Sequence, residues 1–218
     1  MVGAHISHIY RTQNRGSGWT KVLELPGAWI NDLYMFDQTS GIVIGDPHDG
    51  HWLIMKTSDG GNTWIPISHP VWAAGGVWGT LNSIYWCDAM TGWFGSNTSE
   101  LYQTEDGGET WEVVTVPCLD YCACVAFNEQ GVGLVVDPDG LFARTLNGGF
   151  GWQGIQSPSS GANRYVTWYG NAFWALADTS IYKSNDNGTS WEAVTSSHSV
   201  LRHLSFVSDH RGTAGWAV

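Results

Sequence analysis

The sequence predicts an all-β chain: a five-bladed β-propeller of four-stranded antiparallel blades, residues 1–218 forming one domain, with the ring closed by strands from both termini. Three observations predict it. An eight-residue stretch ending in tryptophan returns five times, its tryptophans at positions 19, 64, 111, 152 and 191. The intervals of 45, 47, 41 and 39 residues suit blades of short strands, and no long segment carries the 3,4 apolar period of a helix. Finally, the two ends of the chain hold complementary halves of one further unit.

The repeated stretch predicts the outer hairpin of each blade. Its cleanest copies are Thr57-Ser-Asp-Gly-Gly-Asn-Thr-Trp64 and Thr104-Glu-Asp-Gly-Gly-Glu-Thr-Trp111. Ser184–Trp191 keeps the acid, whereas Thr12–Trp19 and Thr145–Trp152 carry asparagine in its place. Asp59, Asp106, Asp186, Asn14 and Asn147 are short acceptors suited to backbone N–H groups of a tight turn. Gly16, Gly61, Gly108, Gly149 and Gly188 hold one column, as a position of positive φ requires. The tryptophan then opens the returning strand and covers the hairpin with its apolar face.

The remaining strands follow in order. Inner strands read Asn31–Asp37, Asn82–Asp88, Cys122–Asn128, Arg164–Gly170 and Arg202–Ser208. Second strands, small and apolar, read Gly41–Gly45, Gly92–Gly95, Gly131–Val136, Ala172–Ala175 and Gly212–Val218. A third strand such as His51–Lys56 leads into each box, and a fourth such as Trp64–Ile67 leaves it. The fifth unit has only its first two strands at the C-terminus, while the N-terminus supplies a third strand, Ala4–Tyr10, then a box and a fourth. Closing one blade with both halves removes an open sheet edge.

These boxes resemble the Asp box, or BNR repeat, of sialidases, sortilin-type receptors, some xyloglucanases and photosystem assembly factors. In those families the box is a structural hairpin away from the active site, and the enzymes are larger rings of six or seven blades. The form Gly45-Asp-Pro-His-Asp-Gly50 also resembles bacterial Asp-box proteins of unassigned activity. The photosystem assembly factors are seven-bladed with a basic patch, so the acidic balance here argues against that group.

A net charge of −11, with six arginines and three lysines scattered along the chain, excludes a nucleic-acid partner and disfavours anionic membranes. No apolar run approaches the roughly 18 residues of a spanning helix, so no membrane insertion is expected. Met1–Ile6 has neither a charged n-region nor an apolar h-region, so no signal peptide is expected. Synthesis in the cytoplasm follows, with a phage virion component as one expected setting.

Ligands of propellers usually meet the face formed by the loops leading into the inner strands and those joining strands two and three. Trp29, Trp72 and Trp78 precede inner strands and belong there. Such rings either stack on a sugar or a partner's anchor, or plug the top of the ring. Asp46, His48, Asp49 and His51 can each ligate a metal, but their spacing in a loop fixes no geometry and reads as a solvated turn. Arg164, Arg202 and His203 lead inner strands, with Asp32 equivalent. The guanidinium groups can hold a carboxylate or phosphate, or pair with Asp32 and the loop acids.

Nothing selects a catalytic pair. The arginine triad and tyrosine–glutamate pair of sialidases have no counterpart. Asp32 with Asp46 or Asp137 can meet the 5–9 Å separation of glycoside hydrolysis, without any motif singling them out. Cys87 and Cys124 read as buried. Cys118 and Cys122 can form a small disulfide, or with Cys124 a soft-metal site, but reduced buried thiols are the reading favoured. The sequence therefore points to a non-catalytic recognition or adhesion propeller for a glycan or protein partner. A small glycoside hydrolase and an assembly-factor-like scaffold are the alternatives. No cofactor or metal is expected, and the oligomeric state stays open.

Overall fold

The computed structural model describes residues 5–81, 83–159, 161, 163–209 and 212–217, with backbone only at 163, 164, 207–209 and 212–214. All its regular elements are strands. The chain opens with a pair, β1 (Ile6–Arg11) and β2 (Thr20–Pro26). Four antiparallel four-stranded sheets follow, each running from inner to outer strand in chain order. The first holds β3 (Ile30–Met35), β4 (Gly41–His48), β5 (His51–Thr57) and β6 (Ile65–Pro66). The second holds β7 (Tyr85–Trp86), β8 (Gly92–Gly95), β9 (Glu100–Thr104) and β10 (Glu112–Thr115). The third holds β11 (Cys124–Phe127), β12 (Gly133–Val136), β13 (Phe142–Thr145) and β14 (Gln153–Ile155). The fourth holds β15 (Asn163–Tyr169), β16 (Ala172–Ala177), β17 (Ser180–Ser184) and β18 (Glu192–Ser196). A last pair, β19 (Leu204–Asp209) and β20 (Gly212–Ala217), ends the chain.

The expected strand order thus holds in four complete sheets. The expected fusion of the two terminal pairs into one sheet is not among the described pairings, where β1–β2 and β19–β20 stand as separate two-stranded sheets. Asn82 and Val218, which the sequence places in strands, lie outside the described residues.

The cores lie between sheets rather than within one. Strand side chains alternate faces, so a second strand flanked on both sides must be apolar throughout. In β4, Ile42 and Ile44 face the second sheet, packing in a cluster with Trp52, Trp86, Phe94 and Trp111. Val43 faces the other way, towards Ile9, Met55 and Trp64. The third sheet repeats this: Val135 packs with Trp93 and Phe127, whereas Leu134 and Val136 pack with Val166 and Phe173. Each fully buried aromatic of this kind, such as Trp93, Phe94 or Phe173, stabilises the fold by about 2–3 kcal/mol through burial.

The boxes clasp the outer hairpins as their residue types predict. Asp59 accepts the N–H groups of Asn62 at 3.0 Å and Thr63 at 2.9 Å, together with the Thr63 hydroxyl at 2.7 Å. Asp106 and Asp186 repeat the pattern on Thr110 and Ser190. All five column glycines have positive φ, from +77° at Gly188 to +98° at Gly149. The fit is close: a Cβ on Gly149 would lie 2.3 Å from the Trp93 ring of the preceding sheet. Trp64 and Trp111 are buried, but Trp19 is 62% exposed.

Candidate functional site

Antiparallel strands place the boxes at one end of every sheet and the loops joining second to third strands at the other. At that second end the first sheet builds a cleft around Asp46. The carboxylate Oδ1 accepts Asn31 Nδ2 at 2.9 Å and the Gly79 N–H at 2.9 Å. It thereby ties the β4–β5 turn to the head of β3 and to the long loop before β7. The cleft, about 520 Å³, has Trp29, Trp78, Asn31, Tyr121 and Pro138 among its walls.

Both indoles stand half-exposed on fixed backbone. Trp29 is 46% exposed, its ring stacked on His5 with centroids 4.1 Å apart. Its carbonyl accepts the Asp46 N–H at 2.8 Å, and Ser7 holds the chain on either side through Ala28 O and Ile30 N. Trp78 is 49% exposed. Asn97 pins its loop by accepting the Trp78 N–H at 2.7 Å, donating its own N–H to Trp78 O, and donating Nδ2 to Gly76 O at 3.1 Å. Rings plugging a core would be covered. These are presented.

Trp72 is the most exposed of the three at 73%. It lies on the far side of the β4–β5 turn, bridged to His51, with the two rings tilted at 41° and their centroids 4.0 Å apart. His48 and Asp49 are exposed beside it with nitrogen and oxygen 3.5 Å apart, and Asp49 takes φ +53° in the turn. Among the described residues no group of three or more His, Cys, Asp or Glu side chains is gathered to hold a metal ion.

Asp32 sits further in, where the inner strands converge. Burial pushes its carboxyl above the usual range, opposed by the N–H groups of Ile84 and Leu33 and by the charge of His203. His203 packs against the Tyr165 ring at 4.9 Å. Arg202 is exposed, and the Arg164 side chain lies outside the described residues. So Asp32 and His203 come together, whereas Trp29, Trp78 and Asp46 form a separate cleft and Trp72, His48 and Asp49 a third patch.

The carboxylates considered for hydrolysis are committed to structure. Asp32 accepts two backbone N–H groups, at 2.8 and 3.2 Å. Asp46 ties two loops together. Asp137 is 2% exposed, its carboxyl raised by burial against the Asp139 N–H that it accepts. All four cysteines are free thiols. Cys122 and Cys124 are buried as expected, and burial pushes both thiols up to about 12. Cys87 departs from expectation: the residue is exposed at the end of the short β7, although burial around its sulfur still raises the thiol to about 11.

Sequence reasoning missed Asn97, Tyr121 and His5. Asn97 lies in a polar turn that reads like any solvated loop, and its role depends on a segment 19 residues away. Nor did the repeat reveal Tyr121, which reaches the cleft from the loop before β11.

Comparison with known proteins gives the relationship. Residues 74–215, well over half of the chain, match the family model described as photosynthesis system II assembly factor YCF48. A rice (Oryza sativa subsp. japonica) photosystem II stability/assembly factor HCF136, chloroplastic, is 27% identical over 160 residues, covering 69% of this chain. This chain spans 37% of that relative's length. Among solved structures, a YCF48 bound to D1 peptide superposes with TM-score 0.62 at 22% identity, over 85% of this chain and 59% of that one. YCF48 from Cyanidioschyzon merolae gives 0.57 at 17%, over 83% and 61%. The GH74 enzyme of Niastella koreensis gives 0.60 at 15%, over 85% and 34%. At these identities the structures establish a common propeller fold and nothing finer. The acidic balance, taken from the sequence as an argument against the assembly-factor group, is overruled by the family match. The chain belongs to the YCF48 family of photosystem II assembly factors, with BNR-type repeats on a β-propeller fold.

Proposed function

We propose that this chain is a non-catalytic partner-binding propeller of the assembly-factor type, engaging an extended segment of a client protein through the cleft between Trp29 and Trp78. One observation carries the reading: two half-exposed indoles are held on rigidly hydrogen-bonded backbone at the face opposite the boxes. Rigid, exposed aromatic anchors are what a binding surface needs, since little side-chain freedom is lost on contact. Family membership supports a protein client, and a related propeller has been solved with a D1 peptide in place. Neither the glycan nor the virion setting draws support from these relatives.

The same reading takes residues 1–218 as one domain and one ring of five blades. What supports it is a run of contacts from one inner strand to the next: Ile84 N–H donates to Asp32, the Tyr85 hydroxyl to Phe127 O and the Cys124 thiol to Val166 O, and the Tyr165 ring lies against His203. The fifth blade would then form by pairing of β20 with β1, whose outer edges are unpaired among the described residues. Hydrogen exchange checks this: outward-facing β1 amides should be protected, and free exchange there would refute closure.

The client reading is tested by quantitative affinity capture from the cells that make the protein. Wild type and a Trp29→Ala/Trp78→Ala double variant of matched thermal stability are compared. A client retained by wild type and lost with the variant supports the reading. Equal capture by both would remove the cleft from it.

A further inference from the structure

We propose that the cleft recognises a cationic side chain, arginine above lysine, carried by an extended basic segment of the client. The inference rests on the partner-binding reading above and specifies its chemistry. Three observations carry it.

The first is the free lone pairs of Asp46. Both of its hydrogen bonds fall on Oδ1, from Asn31 Nδ2 and Gly79 N–H, so among the described residues Oδ2 receives no donor. The carboxylate is thus held in place by one oxygen and offers the other at the cleft.

The second is the walls. Trp29 and Trp78 present indole faces, and a guanidinium can stack on an indole while donating in its plane to a carboxylate. This face already sets planar nitrogen rings against indoles twice, His5 stacked on Trp29 and His51 tilted against Trp72. Trp78 has no aromatic partner among the described residues.

The third is charge. Asp120 and Asp139 are exposed next to the cleft residues Tyr121 and Pro138. From residue 22 to residue 143 the chain has 16 acids and one cation, Lys56. Lys56 is paired with Glu109 at 2.6 Å, at the box end, away from the cleft. A cationic segment meets no like charge there, whereas an acidic one would be repelled. The exposed Arg202 belongs to the segment leading into β19, so a basic segment is steered towards the first three sheets.

The test is fluorescence anisotropy with the full chain and fluorescein-labelled twelve-residue Gly/Ser peptides carrying two arginines, two citrullines or two glutamates. The arginine peptide should bind about tenfold more tightly than its neutral citrulline isostere, the range of a partly desolvated cation–π contact. Trp78→Ala should remove about tenfold of that affinity. Asp120→Asn/Asp139→Asn, two exposed changes that leave the fold alone, should weaken it a few-fold and flatten its salt dependence. Equal binding of the arginine and citrulline peptides, or an arginine affinity unchanged by Trp78→Ala, overturns the inference. If the neutral peptides bind and lose affinity with Trp78→Ala, the charge preference fails while the client reading survives. Displacement of every peptide by cellohexaose would assign the cleft to sugar and overturn both.

Discussion

In each box the hydroxyl of the first residue donates to the side chain two positions on and accepts the N–H of the glycine four positions on. Thr57, Thr104, Thr145, Ser184 and Thr12 all do so, with the glycine N–H at 2.9–3.0 Å. The threonine or serine was visible in the alignment of repeats, but its relay was not, because acceptor roles are assigned to the acid by residue type alone. The glycine column was fully legible: five glycines in register require a backbone that side chains resist, and all five have positive φ. Gly149→Ala combines φ +98° with a 2.3 Å approach to Trp93 and is expected to destabilise the protein by about 2–4 kcal/mol. Urea denaturation measures it, and a loss below 0.5 kcal/mol would contradict the packing described.

The box carboxylates also set an acid limit. Asp59 is held down to about 2 by the backbone and side chain of Thr63, and Asp186 likewise by the Ser190 side chain and backbone. In Asp106 burial works the other way, but the Thr110 bonds prevail and its carboxyl also lies at about 2. A carboxyl depressed in the folded state stabilises it above the unfolded value near 4 and loses that contribution as pH falls towards 2. Thermal melting from pH 6 to pH 2 should therefore show a fall in Tm beginning near pH 4. A variant with Asp59, Asp106 and Asp186 all changed to asparagine should start lower and fall less. An unchanged profile in that variant would mean that the acid limit lies elsewhere.

At the scale of the element, each complete sheet is one blade whose core is shared with its neighbours. A box tryptophan matters when a neighbouring sheet packs against it: Trp111 clusters with Ile42 and Ile44 of the first sheet, whereas Trp19 stands open. Trp111→Ala should cost about 3–5 kcal/mol. Trp19→Ala should stay within about 0.5 kcal/mol, as for an exposed position. Paired chemical denaturation curves compare them, and equal losses would contradict the exposure of Trp19. Strand order was legible because apolar periodicity and turn residues are local signals. The shrinkage of β7 to Tyr85–Trp86 was not, nor the exposure of Cys87 beside it. Both depend on how the long loop before β7 is tied back to Asp46 and Asn97, contacts separated by up to 33 residues.

At the scale of the molecule, the repeat and its disruption have different meanings. The five boxes mark the units, and the site candidates lie where the repeat is broken, in the long loop carrying Trp72 and Trp78 and in the β4–β5 turn. That the three tryptophans belong to one face could be read from strand direction. Their division into a Trp29–Trp78 cleft and a separate Trp72–His51 pair could not, since it depends on which side of a turn each backbone leaves. Net charge was misleading in one respect. The acidic balance argues in the sequence against the assembly factors, yet charge is a surface property that changes within one fold. Here it bears on the choice of client segment rather than on family.

The most direct measurement places a photo-crosslinking amino acid either at position 78 or at position 150, where Phe150 is 85% exposed at the box end. Both variants are expressed and irradiated in the cells that make the protein. Crosslinking from position 78 to a single client peptide, with none from position 150, is the predicted result. Crosslinking to that client from position 150 alone would contradict the account and move the interface to the boxes.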